Sequence, residues 1–473
     1  MAAELCRVSL WLEAIEPGKP LSFLDHHIRV GNSLLGATPA LLAEGIPDEA
    51  FTPIEGDDKE ICSRFKKVNK EERSGQKRLF AATTEPWERL GDLAASMTHL
   101  DDAPDDSIKA IRDKERMYEA MVRSGNYLDG QFWADAWCAA FVWKKTREFN
   151  YPITEEVFRR IEHNPHACDA WMRDEIIRLT QQYQFFHWHL AFPDIFHAPA
   201  VGETPENEQT GWNGGFDVLL GNPPWEMPET DDRVFFASRS PEIGFEPSAQ
   251  KRQSLILQLE KSEPTLSRLW QEQRRSNASE RVFFANSGLF PHSGGGRLNY
   301  YRLFVETNWN LLRTSRALGM VVPSGLSANK YEEPTWRHLL HTGAITVFLD
   351  FENVDGLFPG VHRSTKFSLL SATRGISGAI RVGCWLRSVD ELADPDRTVL
   401  VTLEALQEFD PESLSLPQFR SRRDLTLLKC AYRSFGRFSE IPEWSHTPKL
   451  MFSSSDADFR VVSNTETLTW HLV

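Results

Sequence analysis

The segment Gly215-Phe216-Asp217-Val218-Leu219-Leu220-Gly221-Asn222-Pro223-Pro224-Trp225 decides how this chain reads. Val218, Leu219 and Leu220 form a short apolar run of the buried-strand type, and it stops on a Gly, an Asn held by two prolines, and an indole. Proline fixes its own φ and pushes the residue before it out of the helical region, so the backbone at Asn222 and Pro223 is predicted to be stiff and aimed. The strand end therefore presents an amide oxygen, backbone carbonyls and an aromatic face. That set suits a planar exocyclic amine such as N6 of adenine, whose lone pair is delocalised into the ring. If the Asn222 side-chain oxygen and the Pro223 carbonyl accept both amine hydrogens, the nitrogen is drawn toward sp3 geometry and its lone pair is freed. Trp225 then stacks on the base, which in DNA has to leave the duplex. A Pro-rich turn with the Trp as a hydrophobic lid is the plainer alternative.

Composition bounds the rest. A chain of 473 residues holds a large core and two to four domains, and 41% hydrophobic with 25% charged residues reads as soluble and globular. No run reaches the length of a membrane span and Met1 to Glu13 has no leader pattern, so the expected location is cytoplasmic, with no membrane partner. The six cysteines are scattered without CxxC spacing, which indicates neither a zinc site nor a disulfide framework. The adjacent His26 and His27 offer two ligands but no third, so no metal is expected. A net charge of −14 argues against nonspecific nucleic-acid affinity unless the charge is local. Basic clusters at Lys66-Lys67, Arg274-Arg275 and Arg420 with Arg422-Arg423 read as solvated faces rather than DNA contacts.

In chain order, Ala2 to Glu13 is predicted to be a helix packing one face inward, and Ile28 and Val30 a short strand ending at Gly31-Asn32. Residues 40–185 read as a helical insertion, within which Phe132, Trp133, Ala136, Trp137, Ala140 and Phe141 form an aromatic stripe of core type. Residues 186–375 return to strand-and-helix alternation, interrupted at 228–293 by a second helical insertion. Strands are expected at Leu318 to Val322, Ile345 to Phe351, Lys366 to Ala372 and Ile380 to Leu386. This order predicts an α/β fold with a mostly parallel sheet, whose ligands sit outside the carboxyl ends of the strands, where Asn32, Asn222 and Pro323 are expected.

Phe216 to Trp225 resembles motif IV of the gamma-class adenine-N6 DNA methyltransferases, in particular the large methylases of type IIG restriction-modification systems and of BREX and DISARM phage defence. Phe186-His187-Trp188 with Phe192-Pro193, Asn299 to Phe304, Gly319 to Gly325, and Phe358 to His362 with Lys366-Phe367 fall in the family's order, so the resemblance covers most of residues 1–430. It implies a Rossmann-like S-adenosylmethionine-dependent core with large helical insertions, acting on double-stranded DNA. By resemblance, Asn222, Pro223 and Pro224 with Trp225 are the catalytic segment, Trp225 and Phe358 stack on the target base, and Asn32, Ser33 and Phe304 contact the cofactor. Asn32 stands where the family has an acidic residue, keeping an acceptor and losing the charge.

The resemblance also makes residues 1–39 the part of the core that follows the family's motifs I and II. The Gly-rich cofactor loop is expected before Met1, and residues 376–473 are expected to be a carboxyl-terminal extension that begins a target-recognition region. The alternative expectation is an inactive or split-methylase subunit that binds DNA or a partner. Such a subunit needs a second polypeptide, or other defence-system subunits, for cofactor binding.

Overall fold

The computed structural model describes residues 1–76, 91–148, 151–197, 199 and 203–437. Helix α1 (Ala2–Glu13) forms where the apolar spacing places it, but none of its residues is buried and Leu5, Val8, Leu10 and Leu12 are exposed. The expected inward-packing face is therefore corrected. Trp11 is the apolar side chain that leans inward, its indole N–H donating to the Ser22 carbonyl at 2.9 Å.

The strand expected at Ile28 and Val30 is absent too. The N–H groups of His27 and Ile28 both donate to the Leu24 carbonyl, which closes a turn there. Asn32 makes an isolated parallel bridge to Phe185, its N–H donating to the Gln184 carbonyl at 2.7 Å. It therefore stands against the 184–186 segment and not on the main sheet.

The described regular elements between Pro39 and Tyr183 are all helices, as the composition predicts, and include α2 (Gly91–Asp102) and α3 (Gly125–Val142). Every residue of α3 from Trp133 to Val142 is buried, so the aromatic stripe belongs to a central helix that is apolar all round. The Ser124 hydroxyl caps its start by accepting from the Tyr127 N–H. A single large core runs from Leu34 and Leu35 through these helices to Phe283, Phe284 and Leu303. The insertion is thus packed against the helices that precede the sheet's second strand.

Strand β1 (Phe216–Gly221) is followed by a helical crossover that includes α4 (Pro264–Asn286) and α5 (Tyr300–Leu311). Then come β2 (Leu312–Val322), α6 (Glu333–Thr342), β3 (Gly343–Glu352), β4 (Lys366–Arg374), β5 (Ile380–Leu386) and β6 (Val399–Val401). The six strands lie in the order β1-β2-β4-β3-β5-β6. The β1–β2 and β3–β5 pairs are parallel, while β2–β4, β4–β3 and β5–β6 are antiparallel. The α/β class and the Rossmann-like crossovers stand, and the sheet is mixed: β1, β2, β3 and β5 run one way and β4 and β6 the other. The reason is topological: β4 returns from β3 through residues 353–365 as a hairpin arm and inserts between β2 and β3, which run the same way on either side of it.

β1 was expected to be buried. Among the described residues it pairs only with β2, and Val218 and Leu220 are 61% and 81% exposed, as befits an edge strand. The chain divides into two compact units, Met1–Arg422 and Arg423–Val473. The strand-like fragments expected from Lys449 to Val473 lie outside the described residues. Among the described residues no helix is long and apolar enough to cross a membrane.

The segment preceding β1 holds two buried histidines in different states. Ala37 N–H donates to His187 Nδ1 at 3.0 Å, so the proton sits on Nε2 and donates to Asp135 Oδ1 at 2.9 Å. His189, 4% exposed with Nδ1 unpartnered, is pushed down to about 3 by burial and by the neighbouring His187. Below about pH 6.5 the unfolded chain takes up a proton at this position that the folded chain refuses, so its contribution falls by about 1.4 kcal/mol per pH unit until the folded value is reached. Comparing urea midpoints of the wild type and His189→Asn between pH 7.5 and 5.5, the wild type should lose about 1.4 kcal/mol relative to the variant. A difference independent of pH overturns this assignment.

Candidate active site at the carboxyl edge of the sheet

Gly221 at the end of β1 lies opposite Met320 near the end of β2, so Asn222 and Pro323 leave the sheet on the same edge. In a sheet with helical crossovers this is the edge where ligands bind. Asn222 is exposed, Pro223 buried, Pro224 exposed and Trp225 half-buried, so the two prolines anchor the turn while the amide stays open. Trp225 and Leu357 pack against a cluster of Leu349, Phe351, Phe367 and Leu386. The Phe358 ring meets Phe367 edge-on at 5.1 Å and is itself 48% exposed. Trp225 and the 356–360 loop, residues the sequence assigned to one base, thus converge on Phe367 at the start of β4. The Trp225 indole N–H is buried and has no hydrogen-bond partner.

The position of Trp225 is set from α5. Asn299 caps that helix by accepting from the Tyr301 N–H at 3.2 Å, and its amide donates to the Trp225 carbonyl at 3.1 Å. The next N–H, of Tyr300, donates to the Glu226 carbonyl at 3.0 Å. One side chain thereby satisfies a helix start and clips the Pro-Pro-Trp segment to it.

Helix α5 is held in turn by Arg302, which is fully buried and donates to the carbonyls of Ser293, Gly295 and Tyr331. Glu332 pairs with it at 3.5 Å. On the same helix, Glu306 accepts from the Ser293 N–H at 2.7 Å and the His292 N–H at 3.1 Å. The Gly294-Gly295-Gly296 turn is therefore strapped to α5 at several points.

The opposite wall of the edge is built by Asn353, whose side chain is completely buried. Its amide donates to the Phe358 carbonyl at 3.1 Å and the Val361 carbonyl at 2.9 Å, and its oxygen accepts from the Phe358 N–H at 2.9 Å. The Phe358 loop is thus folded around one side chain. Beneath it, Asp350 is buried and accepts from the Ser368 hydroxyl at 3.1 Å, while its second oxygen lacks a partner. Burial raises its carboxyl above the usual range, opposed by the Ser368 hydrogen bond. The sequence reading missed Asn353, Asp350 and Arg302; the turn signal Asn353-Val354-Asp355-Gly356 was the available clue to the first.

The residues expected at the cofactor are less concentrated. Asn32 is half-buried and its side-chain oxygen accepts from the Leu34 N–H at 3.3 Å. The Ser33 carbonyl accepts from the Trp188 indole at 3.1 Å, and Phe304 on α5 packs half-buried against the helical core. Ser33 and Thr307 of α5 line one cavity of about 30 Å³, room for a single water and too small for a nucleoside. Of the basic clusters, exposed Arg274 pairs with Glu55 as on a solvated face, whereas largely buried Arg275 pairs with buried Asp57, each at 2.8 Å, so Arg275 is a packing residue.

Asn353→Ala removes three hydrogen bonds to the Phe358 loop and should cost about 2–3 kcal/mol. Hydrogen exchange followed by mass spectrometry should then show faster exchange over residues 354–362 than elsewhere. Unchanged protection in that loop sinks the assigned role.

A family model described as Eco57I restriction-modification methylase matches residues 1–258 of the 473, a span that includes Asn222 to Trp225. No curated protein matches the chain. Among solved structures, a component of a type I restriction-modification system is 14% identical, covering 83% of this chain and 88% of its own, with a TM-score of 0.25. A Listeria monocytogenes protein described as a class I S-adenosylmethionine-dependent methyltransferase is 11% identical, over 65% of this chain and 94% of its own, with a TM-score of 0.18. A chain of the DrdV–DNA complex is 10% identical, over 77% of this chain and 44% of its own, with a TM-score of 0.24. On the family match, which spans more than half of its length, the chain belongs to the Eco57I restriction-modification methylase family.

Proposed function

We propose that this chain carries the target-base half of a DNA methyltransferase that moves a methyl group from S-adenosylmethionine to N6 of an adenine turned out of the duplex, in restriction-modification or phage defence. The observation that carries this reading is the exposed amide of Asn222, set between a strand end and buried Pro223, with Trp225 and the Phe358 loop converging on Phe367 beside it. Asn222 Oδ1 and the Pro223 carbonyl accept the two amine hydrogens. Trp225 and Phe358 hold the ring in plane, and Pro224 stiffens the turn.

No covalent enzyme intermediate is required, and alignment supplies most of the acceleration. Asn32, Ser33 and Phe304 are the proposed donor contacts, each half-buried, and the small cavity that Ser33 lines has to widen for an adenosyl group to reach them. When bound, the donor supplies the electrophilic methyl.

A second reading has its own support. β1 leaves Val218 and Leu220 exposed, and α1 leaves a whole apolar face uncovered. Both are the surfaces expected where a further polypeptide completes the donor half, making this chain one part of a split enzyme.

Tritium transfer from the donor to duplex DNA, with nuclease digestion to identify the methylated base, separates these readings. Wild type should yield N6-methyladenine, and Asn222→Ala should lower the rate at least about a hundredfold, as loss of one transition-state hydrogen bond does elsewhere. Equal rates would falsify the role of Asn222. Absence of donor binding by calorimetry at high micromolar concentration overturns the autonomous reading in favour of the split one.

A further inference from the structure

His26 and His27, adjacent in sequence, find their third partner on the helical insertion. Asp101, on the last turn of α2, places Oδ1 2.9 Å from His26 Nε2 and 3.6 Å from His27 Nε2. One donor atom from each of the three residues lies within 4.8 Å of the others. The turn that abolishes the expected strand at Ile28 is what brings both imidazoles to the same point, since it folds Leu24–Ile28 back on itself.

Two facts distinguish this cluster from histidines resting on an acid. First, His26 is 2% exposed, yet neither of its ring nitrogens has a hydrogen-bond partner among the described residues. Its 2.9 Å approach to Asp101 falls outside hydrogen-bond alignment. A short but misaligned contact between two donor atoms is the arrangement of two ligands aimed at a third atom between them. Second, four-coordinate zinc with bonds of about 2.0–2.1 Å sets its ligand atoms about 3.4 Å apart, and the 2.9 and 3.6 Å separations bracket that spacing.

Charge and access agree. Asp194 lies within electrostatic reach of both Asp101 and His27, adding a second carboxylate around the cluster. Lys114 is the opposing cation, and its ammonium donates to the Asp101 backbone carbonyl at 3.3 Å. With neutral imidazoles the group carries net negative charge. His27 and Asp101 are 57% and 34% exposed at their side chains, leaving a solvent side open for a water ligand.

We infer that His26, His27 and Asp101 form a binding site for a divalent transition cation of the zinc class, with water in the open position. Two imidazole nitrogens select such ions over magnesium or calcium, which prefer oxygen donors. The ion joins the 24–28 turn to α2, and so ties the amino-terminal segment to the helical insertion. Its role is structural and independent of methyl transfer.

Zn2+ titrated by calorimetry into the full chain, stripped with chelator and exchanged into chelator-free buffer, tests this directly. The wild type should take up one equivalent, and His27→Gln and Asp101→Asn should each bind at least tenfold more weakly. Alkylating the exposed Cys6 and Cys430 should leave that equivalent in place. Co2+ in place of Zn2+ should give the visible absorption of a four-coordinate nitrogen and oxygen site, without a thiolate charge-transfer band. Zn2+ should raise the Tm of the wild type more than that of either variant. No uptake by the wild type, uptake abolished by alkylation, or wild-type affinity in either variant overturns the site, whatever the outcome of the methyl-transfer assay.

Discussion

A guanidinium in the dry interior between α5 and the loops beside it sets the geometry of the sheet's carboxyl edge. Removing a charge from water costs several kcal/mol unless geometry and hydrogen bonds compensate, and Arg302 is compensated by three carbonyls from two separate loops together with Glu332. Each of those carbonyls would otherwise need a partner of its own, so the loops and the helix solve one another's problem. Rotation of α5 about its axis would break all of these contacts together. The same helix carries Asn299 at its start and faces the insertion with Leu303 and Phe304. The Pro-Pro-Trp segment is thus registered against the helical core through one buried cation.

The site itself is assembled from three chain regions that share few direct contacts of their own. Trp225 arrives from the end of β1, the Phe358 loop from the β3–β4 connection, and Phe367 from β4, and the aromatic cluster around Phe367 is where they meet. Each region is fixed locally by a buried asparagine or a cap, Asn353 for the loop and Asn299 for the Trp segment. Side chains preorganised in this way give up little entropy when a planar ligand enters.

What the sequence disclosed follows from how local each signal is. Strand limits near Ile345–Phe351 and Ile380–Leu386 were readable because periodicity and turn residues are written within a few positions. The placement of Asn222 at a strand end was readable for the same reason. Strand order was not: nothing in Lys366 to Arg374 says that this strand inserts, antiparallel, between two strands that run the same way. Burial was misjudged at α1 and β1, where apolar residues that look like core are exposed, because periodicity shows which face is apolar and not what covers it. The roles of Arg302 and Asn353 depend on partners brought in by tertiary folding, and a single Arg or Asn carries no local mark of them.

The place of β4 in the sheet also has a temporal meaning. Chains emerge from the ribosome amino terminus first, so β2 is made before the strand that fills its inner edge, and Phe367, in the cluster where the Trp225 and Phe358 regions meet, comes out with that strand. Until about residue 374 has been released, β2 presents an unpaired edge and Trp225 has no completed cluster to rest against. The helical insertion, by contrast, can form its own core beforehand. The nascent polypeptide therefore acquires a folded scaffold before it acquires a finished carboxyl edge, and an incompletely synthesised copy lacks the aromatic cluster around Phe367.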